Sequence, residues 1–240
     1  ACFAGSSDLL LCGAETGDLL LFDVRAPPLP LHRSSYAGGN RHLSPVVFVG
    51  APTPTTLVSA SADGAVNTWD VADLSSPVAK LSLGAAKGGL TAGSLEGGML
   101  TLGTENGSLV TVDLSKKKDN IAGTERRHYG PCVCLLGAGD WEGEGGLLTC
   151  GADWKISWGT GEYQDEGYVG YSSLAVSGGG RYVWASGIGG GVEVFDRREG
   201  MRKCGEQPGG RWIVASDDGR RMVWDAGGGI VCGKIRESLL

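Results

Sequence analysis

Three histidines and seven cysteines are the residues of this 240-residue chain with the widest chemical reach. His42 lies 21 residues before Asp63 and His128 lies 25 before Asp153, so a base and an acid meet there only if the fold brings them together. No one nucleophile is repeated near the two histidines, and catalysis by them is not the expected chemistry. Cys132 and Cys134 stand two apart on an expected strand, which puts both thiols on one side with His128 close by in sequence. Zinc favours cysteine pairs with wider spacing and a second pair elsewhere. No such pair is present, so small buried hydrophobes are expected, with no metal and no cofactor. Gly228, Gly233 and Lys234 nearly spell a phosphate-binding loop, but Ile235 stands where a Ser or Thr would hold Mg²⁺. Asn106-Gly107-Ser108 matches a glycosylation sequon and equally a hairpin turn, and is read as the turn.

The remaining charge sits in clusters: Asp140, Glu142 and Glu144; Glu162, Asp165 and Glu166; Lys116 to Lys118 with Arg126 and Arg127. These read as solvated loops, any one of which could face an oppositely charged partner. Trp141 and Trp154 are the stronger candidates for partner contact, because aromatic side chains anchor interfaces. With 21 basic residues against 27 acidic ones and a net charge of −6, a nucleic-acid partner is not expected. No apolar run approaches the roughly 18 residues of a membrane span, so no membrane partner is expected either. The odd, uneven cysteine count fits a reducing compartment.

The elements that must position these residues follow from a repeat. Gly contributes 43 residues, about 18% against an average near 7%, with no collagen period, so it serves turns. One pattern recurs six times. An apolar strand runs into small residues, a tight turn of Asp, Glu, Asn or Gly follows, and a second strand ends in an aromatic or β-branched residue, usually before Asp. Examples are Leu57 to Asp70, with Asp63-Gly64 at the turn, and Leu147 to Trp158. The second strands end at Phe22, Trp69, Val112, Trp158, Phe195 and Trp224, at intervals of 47, 43, 46, 37 and 29 residues. A four-stranded propeller blade needs about 40–45. The last interval is short for one, which implies a degenerate blade or residues skipped between Asp196 and Arg211. Helical periodicity is absent. The expected fold is all-β, a single β-propeller over residues 1–240, because each small antiparallel sheet buries both faces only by stacking on its neighbours.

These residues resemble WD-repeat propellers, with the dipeptide intact at Trp69-Asp70 and Trp224-Asp225 and softened to Phe-Asp at 22–23 and 195–196. The order of the repeats resembles the C-terminal propeller of dynein intermediate chains. It runs from Gly13–Asp18 and Phe22-Asp23-Val24-Arg25 through His42-Leu43-Ser44-Pro45-Val46, Ser59–Gly64 and Trp69. It continues through Leu102–Gly107 and His128-Tyr129-Gly130-Pro131 to Asp153-Trp154-Lys155-Ile156-Ser157-Trp158, whose Asp-Trp ordinary WD repeats lack. That family has seven blades and a preceding arm. Six repeats are countable here, so the resemblance implies that a first blade and the arm precede this chain.

The resemblance implies two buried hydrogen-bond sets, one of His42, Ser59 or Ser61, Asp63 and Trp69, the other of His128, Thr149, Asp153 and Trp158, both structural. It also implies a non-catalytic scaffold that docks on a dynein heavy-chain tail, with a second intermediate chain and light chains met through the arm. The implied location is cytoplasmic and cytoskeletal, or the cilium and axoneme. The other expectation is a WD-repeat adaptor of a coat, nuclear pore or ubiquitin-ligase complex. An enzyme reading has only fold analogy behind it.

Overall fold

The computed structural model describes residues 1–4, 8–26, 29–34, 41–84, 88–116, 120–137, 146–159, 161–164, 170–177, 180–207, 210, 212–215, 221–225 and 230–234. Trp141, the acidic loop Asp140, Glu142 and Glu144, and Asp165, Glu166, Lys117, Lys118, Gly228 and Ile235 lie outside them. The chain divides into two compact units, Ala1–Glu125 and Arg126–Leu240.

The first unit holds three antiparallel meanders of four strands, each ordered as in sequence. They are β1 (Cys2–Phe3), β2 (Leu9–Gly13), β3 (Leu19–Asp23) and β4 (His32–Arg33); then β5 (Val46–Thr53), β6 (Thr56–Ser61), β7 (Ala65–Asp70) and β8 (Ala79–Ser82); then β9 (Leu90–Glu96), β10 (Met99–Thr104), β11 (Ser108–Asp113) and β12 (Ile121–Arg126). The second unit holds two more four-stranded meanders. These are β13 (Cys132–Gly137), β14 (Leu147–Gly151), β15 (Lys155–Trp158) and β16 (Gly161–Gln164), then β17 (Tyr171–Val176), β18 (Tyr182–Gly187), β19 (Val192–Asp196) and β20 (Arg202–Gln207). A three-stranded sheet of β21 (Ile213–Ala215), β22 (Arg221–Asp225) and β23 (Ile230–Lys234) completes it.

The short last interval of the repeat is thereby explained. Among the described residues the sixth sheet lacks the strand that opens each of the others, so β19 and β22 are separated by one strand fewer than their counterparts.

Burial explains why β6, β14 and β18 read as unbroken apolar or small runs rather than alternations. Every residue of Leu57–Ser61 is buried. Leu57 packs with Trp69, Leu11, Leu19 and Leu21 toward the first sheet. Val58 and Ala60 point the other way, packing with Leu100, Leu102, Val110 and Val112 of the third. In the second unit, Leu148, Cys150 and Ile156 pack with Tyr171, Val183 and Phe195, and Trp184, Val194, Ile213 and Met222 form the next layer.

The second and third strands of the first five sheets are joined by one recurrent turn. Its fourth residue donates its N–H to the carbonyl of the first, at Gly17→Ala14, Gly64→Ser61, Gly107→Thr104, Trp154→Gly151 and Gly190→Gly187, over 3.0–3.3 Å. That fourth residue is left-handed, with φ of 84°, 87°, 82° and 85° at the four glycines and 63° at Trp154. Gly is the residue for which this conformation carries no steric cost.

Gly17 has a second constraint, since a Cβ there would lie 2.1 Å from the His42 carbonyl oxygen, whereas a Cβ on Gly64 would meet nothing closer than 3.8 Å. Gly64→Ala is therefore expected to cost about 1 kcal/mol, the left-handed penalty alone. Gly17→Ala should cost about 1–3 kcal/mol more through the clash. Urea denaturation of the two variants checks this, and equal losses would show that the His42 segment yields at no cost.

Candidate functional site

Each buried histidine sits on the segment leading into a sheet and faces the turn between that sheet's second and third strands. His42 is 2% exposed. Its Nε2 lies 2.6 Å from Ser59 Oγ, which also accepts the Trp69 indole N–H at 2.8 Å. The His42 and Trp69 rings meet edge to face at 6.4 Å. Ser59, not Ser61, is thus the hydroxyl in contact with the histidine. Trp69 stands opposite Leu57 on the strand pair and reaches Ser59 along the diagonal, which a long aromatic side chain spans.

Ser61 and Asp63 belong to a different group. Ser61 Oγ donates to Asp63 Oδ1 at 2.5 Å, and the Ala65 N–H reaches the same oxygen at 3.2 Å. His42 Nδ1 is left buried without a hydrogen-bond partner among the described residues. Burial holds the His42 imidazole down to about 4, against the attraction of Asp63 and with the aid of repulsion from Lys80.

The second set differs at one position. His128 Nε2 contacts Thr149 Oγ1 at 2.8 Å, and Nδ1 contacts Asp153 Oδ1 at 2.9 Å, while Asp153 Oδ2 accepts the Tyr129 N–H at 2.9 Å. Where Ser61 begins its turn, Gly151 begins this one. A Cβ at Gly151 would lie 2.5 Å from His128 Nδ1 and 2.6 Å from Asp153 Oδ1. A side chain at that position therefore occupies the space in which histidine and aspartate meet. Glycine there permits the bond, and Ser61 replaces it with one of its own. Trp158 does not join the set. Its ring lies over Gly161, where a Cβ would stand 2.7 Å from the indole nitrogen, and no hydrogen bond connects it to Thr149.

Thr149, His128 and Asp153 have the connectivity of a nucleophile, base and acid. Thr149 and the His128 side chain are both 0% exposed, so no substrate carbonyl can approach the hydroxyl, and the arrangement is a satisfied polar network inside the fold.

Trp154 is exposed on the turn, with its ring beside the Cα of Gly170 and the side chain of Ile188 close to the same point. Ile188 is 58% exposed and Tyr129 78%. The Arg126 guanidinium and the Lys155 ammonium lie 5.3 and 5.8 Å from the Tyr129 ring centroid, within cation–π range. Lys155 is also paired with Glu162 at 2.9 Å. The sequence singled out Trp154 but not Tyr129 or Ile188. The cue available was their place beside His128 and on the next sheet's turn.

Cys132 and Cys134 are not side by side on one face as the spacing suggested. A bulge between them sets Cys132 opposite Gly151 and Cys134 opposite Cys150. No group of three or more His, Cys, Asp or Glu side chains arranged to hold a metal occurs among the described residues.

No family model matches the sequence, and no curated protein matches it. The chain is similar in structure to the β-propeller domain of Cps50 (Swd1) from Myceliophteria thermophila, with a TM-score of 0.76 and 16% identity, over 98% of this chain and 81% of that one. At that identity the likeness concerns the fold. That fold is a WD-repeat-like β-propeller, and the described residues form six of its sheets.

Two measurements check the account of the histidines. Because the folded-state value of His42 lies below its ordinary 6.5, the unfolded chain binds the extra proton, and stability falls as pH drops from about 6.5 toward 4 by up to about 1.4 kcal/mol per unit. Chemical denaturation across that range should show a decline that is steeper in the wild type than in His42→Asn, where only carboxylates with lowered values, such as Asp18 and Asp196, still contribute toward the acid end. Ser61→Gly should let Asp63 reach Nδ1 and raise the His42 titration, followed by NMR, by at least about one unit. An unmoved midpoint would show that Ser61 is not what separates the pair.

Proposed function

We propose that this chain is a non-catalytic propeller scaffold that meets a partner through the surface bearing Trp154, Tyr129 and Ile188. The observation that carries the reading is the conformation of Trp154. It holds the left-handed turn position that glycine holds in four other blades, at a cost of about 1–2 kcal/mol for an L-residue, and yet presents an exposed indole. Loops on a rigid propeller are the places where such a residue serves binding rather than folding, and Trp, Tyr and Arg are the side chains that dominate interface energetics.

The finer assignment is a dynein intermediate chain, docked on a heavy-chain tail and linking the motor to cargo or axonemal partners. Its support is the order of motifs from Gly13–Asp18 to Asp153–Trp158. A second assignment, the adaptor of another multiprotein complex, is supported at least as well by the fold. The structural likeness is to the β-propeller domain of Cps50 (Swd1).

Purification of the tagged full-length protein from its native source at moderate salt, with mass spectrometry of what is retained, separates these. A dynein heavy chain with light chains establishes the first, and coat, pore or ubiquitin-ligase subunits establish the second. In either case Trp154→Gly should reduce retention at least tenfold while stability stays within about 1 kcal/mol of wild type, since relief of the turn offsets lost packing. Undiminished retention in a destabilised variant would make Trp154 a packing residue.

A further inference from the structure

The surface of Trp154, Tyr129 and Ile188 carries one cation without a counter-ion. Arg126 is exposed, and its guanidinium lies 5.3 Å from the Tyr129 ring centroid. Among the described residues it makes a single hydrogen bond, from Nε to the His128 carbonyl oxygen at 3.3 Å, and no ion pair. Nη1 and Nη2 keep their donors for something else.

The acids nearby are committed elsewhere. Asp153 turns one oxygen to His128 Nδ1 and the other to the Tyr129 N–H. Both oxygens of Glu162 accept from the Lys155 ammonium, at 3.0 and 2.9 Å, so the second cation beside the Tyr129 ring, 5.8 Å from its centroid, already has its anion. Glu125 precedes Arg126 on β12, and successive side chains of a strand point to opposite faces. Of the two cations that flank Tyr129, Arg126 is the one open to a carboxylate from outside.

Apolar contact is available on the same surface. Trp154 and Ile188 meet at Gly170, where a Cβ would stand 3.2 Å from the indole and 3.1 Å from Ile188 Cδ1. Gly170 is buried, and the side chain it lacks lets the two residues close over its backbone. One belongs to the β14–β15 turn and the other to the β18–β19 turn, so the apolar surface spans two adjacent sheets of the second unit.

We propose that this surface takes a partner segment in which one Asp or Glu stands among apolar side chains, its carboxylate bound by Arg126 against the Tyr129 ring and the apolar groups laid on Trp154 and Ile188. The inference rests on the reading of this surface as the place where a partner docks. A guanidinium offers a carboxylate two parallel N–H donors, which fixes orientation as well as charge. The net charge of −6 repels a run of acids at long range. A lone carboxylate in an apolar setting escapes most of that repulsion and keeps the local contact.

The probes are three short peptides with blocked ends, identical but for a central glutamate, glutamine or lysine between leucines. Each is titrated into the isotope-labelled protein, and NMR follows the Trp154 indole N–H and the Tyr129 amide. The glutamate peptide should shift both signals and bind about tenfold or more tightly than the glutamine peptide, the scale of a hydrogen bond to a charged group. The lysine peptide should bind most weakly. Arg126→Gln, which keeps a side-chain donor in place of the guanidinium, should bring the glutamate and glutamine peptides to equal affinity. Arg126→Lys, a charge without the fork, should keep part of the preference. Equal affinities in the wild type, or a preference that survives Arg126→Gln, overturn the proposal and leave the docking surface standing. If no peptide moves either signal, the docking surface itself falls and the carboxylate site falls with it.

Discussion

The constraint on which most of this molecule depends is the turn between the second and third strands of its first five sheets. Its carbonyl-to-amide bond and left-handed fourth residue fix the register of the two central strands of each sheet, and register decides which side chains enter which core. The same turn also presents its third residue, Asp63, Asn106 or Asp153, toward the segment that enters the sheet. Thr104 and Ser61 both donate a hydroxyl to that third residue, at 2.6 and 2.5 Å, closing the turn on itself. Gly151 cannot, and only there does the acid reach across to a histidine.

A single hydroxyl thus separates two otherwise parallel arrangements. In one, His128 has both ring nitrogens in contact with partners. In the other, His42 Nδ1 is buried with no hydrogen-bond partner among the described residues, and the turn is tied down by Ser61. The exposed consequence of the same turn geometry is Trp154, which takes the glycine position and so projects an indole from a rigid hairpin rather than from a mobile loop.

Much of this was legible in the residue order. The six strand–turn–strand units appear in the sequence because two-faced burial demands continuous apolar or small runs, and because the left-handed turn position selects Gly. The hydroxyls bonded to His42 and His128 were narrower questions. Ser59 and Ser61 have the same type and the same strand parity, and only the diagonal reach of Trp69 distinguishes them. Trp158 looked equivalent to Trp69, but Gly161 beside it opens a place for the ring that no one-dimensional pattern announces. The bulge at Val133 was invisible for a related reason: it alters alternation without altering composition, so the expected neighbour of Cys134 was Cys132 when the actual one is Cys150, far along the chain. The short final interval was visible as arithmetic, but its cause, a sheet of three described strands, belongs to pairing.

The way β6 divides its side chains between two layers carries a further consequence. Leu57 supports the packing toward the first sheet, while Val58, its immediate neighbour, supports the packing toward the third. No sheet in that unit owns its interior. Detaching β6 strips the lining from two layers at once, so the opening of one sheet exposes apolar area on its neighbours as well and becomes correspondingly rare. Cooperativity across the unit is therefore built in at the level of adjacent residues on a single strand, and the three sheets respond to denaturant as one body rather than peeling away in turn.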